Sequence, residues 1–173
     1  QIASQSEFSN FLEKHGETKF IGFDASKATG KVLAIIVDSE PVDILEPNAK
    51  AMIILDQTPF YAEMGGQVGD TGYLTANAVS FQVTDCKSPY KGVIAHIGEL
   101  KKGTIQVGDQ LIAEVDETRR KTIENNHTAT HLLHFALTQV LGQHIKQAGS
   151  VVDASRLRFD FNHHKALSQE EIE

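Results

Sequence analysis

Tryptophan is absent from this 173-residue chain, and cysteine occurs once, as Cys86. A single thiol excludes an intramolecular disulfide and fits a reducing compartment. Nothing approaches the run of about 18 apolar residues that a membrane helix needs, and no secretory signal opens the sequence. These absences lead us to expect a cytoplasmic protein without a membrane span. No low-complexity tract and no internal repeat interrupts a composition that is 40% hydrophobic and 23% charged. That is an ordinary globular balance, in a chain long enough for one or two domains.

Positive charge is scarce overall, with a formal net charge of −7, which argues against nucleic acid as a partner of the whole surface. Its distribution argues differently. Residues 1–118 hold nine basic and 17 acidic side chains, whereas residues 119–165 hold seven basic and three acidic ones. All four arginines (Arg119, Arg120, Arg156, Arg158) lie in that second block. It can sit near phosphate, although a solvated helix start and one strand would give the same count.

Ser4 to Glu17 carries Phe8, Phe11 and Leu12 at helical spacing, followed by Gly16, and predicts a short helix. From Lys19 to Val115 the signals are β. Lys31–Val37, Pro41–Leu45, Lys50–Leu55, Val79–Asp85, Val93–Ile97 and Gln110–Val115 are short β-branched or aromatic runs with turn residues between them. Strands this short and turns this frequent predict a small barrel. Within it, Asp56–Gly72 has four glycines in the eight residues Gly65 to Gly72. Such a stretch can approach another chain or a ligand closely, or can be a tight hairpin linking two strands. It lacks the Gly-Lys-Ser/Thr ending of a phosphate loop.

A helix is predicted from near Asn125 to Gly142, with Ala129, Leu132, Leu133, Ala136 and Val140 as its core side. His127, His131 and His134 fall on roughly the opposite side. At 3.6 residues per turn, His127 and His131 present two imidazoles to one point, about 6 Å apart along the axis. That is a metal-ligand spacing. A zincin protease is excluded because Thr128 stands where the general-base Glu belongs. A structural zinc site needs four protein ligands, and Cys86 is the only thiol. A catalytic site with further ligands elsewhere stays open. His134 is too far from His127 to share an ion; it can join His131 at i+3, or else reads as a cleft or surface histidine. Beyond the helix, Gly149–Asp153 and Leu157–Phe161 predict an antiparallel hairpin packed on it. Ser168 and Glu171 form a capping-box pattern. The chain opens on Gln1 rather than Met and stops at Glu173 inside that last element, so we expect a piece of something larger.

Asp56–Gly72 and Asn126–Leu133, in this order and spacing, closely resemble the alanyl-tRNA synthetases. Gln147-x-Gly149-Ser150 and Arg156–Phe161 extend the resemblance over essentially the whole chain. It implies an α+β fold: a short helix or linker (1–18), a small translation-factor-like β-barrel (19–117), and the N-terminal part of an α+β editing domain built on the His-x-x-x-His helix (118–173). It implies zinc held by His127 and His131 together with a later Cys-x-x-x-His pair that this chain lacks. It also implies substrate contacts from Gln147, Gly65, Gly66 and Gln67, with no catalytic residue assigned. The expected parent is an alanine–tRNA ligase. It acts on tRNA(Ala), alanine and ATP, with ATP bound in an absent aminoacylation domain, and it hydrolyses Ser-tRNA(Ala) and Gly-tRNA(Ala). The resemblance leaves a homo-oligomer open. The alternatives are a free-standing alanyl-tRNA editing hydrolase and a non-catalytic tRNA-binding barrel.

An editing step has a physical reason. Serine adds one hydroxyl to alanine and glycine removes one methyl, differences worth roughly 1–3 kcal/mol in a pocket, too little without a second hydrolytic sieve. With two of four zinc ligands, the chain alone is expected to bind zinc weakly and to be inactive in deacylation.

Overall fold

A computed structural model describes residues 5–172, with side chains from Asn10 onward. Ser4, the start of the first predicted helix, and the side chain of Phe8 lie outside the described residues. The contacts divide the chain into two units. The first is Gln1–Met64 with Gly69–Glu117, and the second is Gly65–Val68 with Thr118–Glu173.

In the first unit, α1 (Gln5–His15) ends on Gly16, whose N–H donates to the Leu12 carbonyl at 2.8 Å. Phe11 and Leu12 pack on a small cluster of Ile54, Val93 and Ala95. The strands follow in order: β1 (Lys19–Phe20), β2 (Lys27–Val37), β3 (Glu40–Val42), β4 (Ile44–Leu45), β5 (Lys50–Leu55), β6 (Gln57–Thr58), β7 (Gly72–Ala76), β8 (Val79–Tyr90), β9 (Val93–Lys102), β10 (Ile105–Gln106) and β11 (Gln110–Val115). Six of them close a ring in the order β11-β7-β8-β9-β5-β2, and β2 returns to β11. Every ring pairing is antiparallel.

Closure depends on the length of β2. Its first half pairs with β11, Leu111 opposite Gly30, and its second half pairs with β5, Ile35 opposite Ile53, while β3 pairs outside the ring. A closed ladder satisfies the strand-edge N–H and C=O groups that an open sheet leaves bare. Alternation turns Leu111, Ala113 and Val115 of β11 inward, where they join Val32, Ile53, Leu74, Phe81, Val83 and Leu100 in one core. The predicted strands Lys50–Leu55 and Gln110–Val115 have those bounds in the structure. The strands predicted at Lys31, Val79 and Val93 are longer, and β7 was not foreseen.

Two fully buried polar side chains, His96 and Thr58, sit against this core. His96, fully buried, donates from Nδ1 to the Ile53 carbonyl (2.9 Å), because a carbonyl can only accept. Its Nε2 then accepts from the Thr58 hydroxyl at 2.7 Å, and the Thr58 oxygen accepts from the Phe60 N–H at 3.1 Å. The ring stands edge-on to Phe60, centroids 5.1 Å apart. Burial pushes its pKa from 6.5 down to about 4, against the opposing effect of the Ile53 carbonyl. The native state therefore binds fewer protons than the unfolded chain between those values, and stability rises with pH there. We expect the first unit to lose on the order of 3 kcal/mol as pH falls from about 6.5 to about 4. Urea midpoints across that range check this. A His96→Gln variant, weaker throughout, should show a flatter slope.

In the second unit, α2 (Glu117–Leu141) is followed by the hairpin β12 (Gln147–Val152) and β13 (Leu157–Phe161), then α3 (Gln169–Ile172). The helix begins at Glu117, two turns before the predicted start, directly after Asp116 at the N-cap position. Its polar opening, Glu117 to Asn126, carries little apolar periodicity, which hid those turns. It ends as predicted: Gly142 takes φ +111° and its N–H donates to Thr138 at 3.1 Å.

The predicted core side of this helix is corrected. Leu132, Phe135 and Val140 are 64%, 65% and 58% exposed, and Leu133 is exposed too, whereas Ile123 and Thr130 are buried. The hairpin lies on the histidine side instead: His134 stacks at 5.1 Å on Phe159, and Asn126 Nδ2 donates to the Asp153 carbonyl at 2.8 Å. The capping box at α3 forms. Ser168 N–H donates to the Glu171 carboxylate (2.8 Å) and Glu171 N–H to Ser168 Oγ (3.2 Å). The Ser168 N–H first, then Lys165, holds the Glu171 carboxyl at about 2.

Candidate metal and substrate site

The glycine-rich stretch is not a hairpin. Tyr61 and Asp70 close its neck: Tyr61 N–H donates to Asp70 Oδ2 at 2.7 Å and Asp70 N–H to the Tyr61 carbonyl at 2.9 Å. The residues between form a compact loop of the Ω kind, and its tip, Gly65–Val68, belongs to the second unit. There it runs parallel to β12. Val152 N–H donates to Gly66 (2.8 Å) and Val68 N–H to Val152 (3.1 Å). Gly66 has φ +86°, and a Cβ on it would overlap the Ser150 carbonyl. Only glycine meets both conditions.

This tip delivers Gln67 to the helix. Gln67 Oε1 lies 2.7 Å from His127 Nδ1. An amide oxygen accepts, so Nδ1 carries the proton and Nε2 keeps its lone pair. That Nε2 stands 3.1 Å from His131 Nε2, with ring centroids 5.0 Å apart. Two nitrogens about 2.05 Å from one ion at the tetrahedral angle are about 3.3 Å apart. The pair therefore converges as two zinc ligands would, and Gln67 is placed as the outer partner that fixes a ligating imidazole. His127 is half-buried and His131 exposed, so the point between them is open.

Around the pair lies a cavity of about 60 Å³, walled by Gly65, Thr130, His134, Gln147, Ser150 and Phe159. At about 30 Å³ per molecule it has room for roughly two waters. Gln147 Nε2 donates to Ser150 Oγ at 3.0 Å, and Ser150 Oγ reaches the Gly65 carbonyl at 3.5 Å. Among the described residues its lining holds three imidazoles and no carboxylate. The arrangement can hold a cation and a water beside a hydroxyl-sized group.

A family model described as tRNA synthetases class II (A) matches residues 1–119. The chain belongs to this family. Three curated relatives of this synthetase chain are each named alanine–tRNA ligase. One from Rhodopseudomonas palustris is 48% identical over 172 residues, which is 99% of this chain and 19% of the relative. One from Acetivibrio thermocellus is 48% identical over 161 residues, 93% of this chain and 18% of the relative. One from Nitrobacter winogradskyi is 46% identical over 172 residues, 99% and 19%. The likeness to alanyl-tRNA synthetases read from the sequence thus holds along the whole synthetase chain, which spans about a fifth of the length of these relatives.

Of the residues singled out in the sequence, the structure gathers His127, His131, Gly65, Gly66, Gln67 and Gln147 in the second unit, all but Gly66 and Gln67 on the cavity wall. Gln67 was expected at the substrate and is found on His127. Thr130, Ser150 and Phe159 were missed. Thr130 lies one turn after Asn126, whose carbonyl its hydroxyl engages at 2.8 Å, and that spacing was the available signal. No helix among the described residues is long and apolar enough to cross a membrane.

Proposed function

We propose that this chain is the barrel and the first part of the editing domain of a cytoplasmic alanyl-tRNA synthetase. In this reading the barrel is residues 19–117, of the kind found in translation factors, after a short helix or linker, and the editing part is 118–173. The parent enzyme joins alanine to tRNA(Ala) at the expense of ATP, and adds water across the ester of Ser-tRNA(Ala) or Gly-tRNA(Ala), releasing the amino acid and free tRNA. The observation that carries the editing reading is the 3.1 Å approach of the His127 and His131 Nε2 atoms, with Gln67 on the outer nitrogen of His127.

His127 and His131 hold two positions of a zinc shell. When bound, zinc supplies polarisation of a water or an ester oxygen. Gln67 keeps the His127 proton on Nδ1. Gln147 orients the amino acid: its amide, now on Ser150 Oγ at 3.0 Å, hydrogen-bonds the seryl hydroxyl and so marks the ester to be cleaved. Gly65 brings bare backbone to the same pocket, and Gly66 lets the loop tip lie against Ser150.

The test is Gln147→Ala in the full-length ligase. The ratio of Ser-ester to Ala-ester hydrolysis should fall roughly tenfold, the loss of one hydrogen bond at about 1.4 kcal/mol. An unchanged ratio removes the assignment of Gln147. For the chain as it stands, zinc calorimetry against His131→Asn should show one weak site lost, with no Ser-tRNA(Ala) deacylation in either protein.

A further inference from the structure

A second group of imidazoles lies outside that cavity. Past the Gln147–Phe161 pair the hairpin register continues, Asn162 N–H donating to the Lys146 carbonyl at 3.4 Å. One step further, the turn after α2 faces the loop after β13, which sets His144 against His163 and His164. Gly142 leaves room for this turn: a Cβ added there would lie 3.2 Å from His144 Nδ1.

We propose that His144, His163 and His164 form a divalent transition-metal site of their own, with three imidazole ligands and the remaining positions open to water. One ring nitrogen from each residue lies within 4.8 Å of the other two. His144 Nε2 and His163 Nδ1 are already 2.9 Å apart, the separation of two ligands at about 90° around an ion bonded at about 2.05 Å. Their rings stack at 5.1 Å, and the His163 and His164 rings are 4.6 Å apart. The 4.8 Å bound exceeds the roughly 4.1 Å across such an ion by about 0.7 Å, which a side-chain rotation of exposed His164 closes. His163 Nδ1 is the nitrogen turned to His144, and its Nε2 is buried with no hydrogen-bond partner among the described residues. Three neutral imidazoles with an open position suit Zn²⁺, Ni²⁺ and Co²⁺ rather than Mg²⁺ or Ca²⁺, which take oxygen.

This site does not depend on the zinc reading of His127 and His131, and the experiment separates them. The 173-residue chain carrying His127→Asn and His131→Asn is stripped with chelator and titrated with Co²⁺ by visible absorption, then with Zn²⁺ by calorimetry. One saturable equivalent is expected, and adding His164→Asn should weaken it at least tenfold. His164 is exposed, so that variant keeps the fold, checked by circular dichroism. No saturable uptake in the double variant overturns the proposal. Uptake that His164→Asn leaves unchanged overturns it too. Uptake seen only when His127 and His131 are intact overturns it while supporting the helix pair.

Discussion

Gly98→Ala is expected to lower the thermal midpoint of the first unit by roughly 10 °C, taking about 3 kcal/mol of overpacking at about 4 °C per kcal/mol. Gly98 lies within β9, paired with Val83 on one side and Ala51 on the other. A Cβ there would overlap the Gln82 carbonyl, part of the neighbouring strand, and would come within 2.8 Å of the Phe81 ring. A flexible side chain could swing away from a methyl group. A backbone carbonyl inside a closed ring cannot, because each strand is held by hydrogen bonds on both edges. Phe81 is fully buried and cannot retreat either. Thermal unfolding followed by circular dichroism reads the result, and a midpoint within 2 °C of the parent's would mean that the ring is softer than its pairing implies.

His131→Ala in the full-length ligase is expected to reduce Ser-tRNA(Ala) deacylation by more than about 100-fold and to leave aminoacylation intact. Loss of an outer partner of a metal ligand costs about 10–100-fold, and loss of the ligand itself costs more. Gln67→Ala should therefore fall between His131→Ala and the parent. Its 2.7 Å contact selects the His127 tautomer without touching the Nε2 atoms of the pair. Added zinc should recover part of the Gln67→Ala loss and none of the His131→Ala loss. A His131→Ala enzyme that edits within threefold of the parent would exclude this pair from the editing chemistry.

Local chemistry was legible and non-local pairing was not. The strands Lys50–Leu55 and Gln110–Val115, the Gly142 stop and the Ser168–Glu171 cap are written in residues at most a few positions apart. The return of β2 to β11 joins residues some 80 positions apart, such as Gly30 and Leu111, and no periodicity announces it. β7 was missed because Gly72-Tyr73-Leu74-Thr75-Ala76 is short and begins on a glycine. The helix face was misread because leucines at helical spacing ordinarily mark a core. Here the buried contacts fall to Ile123 and Thr130, while Leu132 and Phe135 stay in solvent. In the site, i to i+4 spacing was enough to set two imidazoles together. The partner of His127 sits 60 residues earlier, in a loop whose glycines announced a close approach without saying to what.

The loop that carries Gln67 leaves the barrel sequence after Met64 and re-enters it at Gly69. The second unit is consequently discontinuous, and no single cut in the polypeptide releases it whole. A truncation begun at Thr118 keeps both imidazoles but discards the amide that fixes the first of them and the strand-like segment that β12 holds. Melting the barrel would leave that segment tethered to two unravelled ends. The Gln67 contact on His127 would then depend on the fold of a unit that contains neither residue.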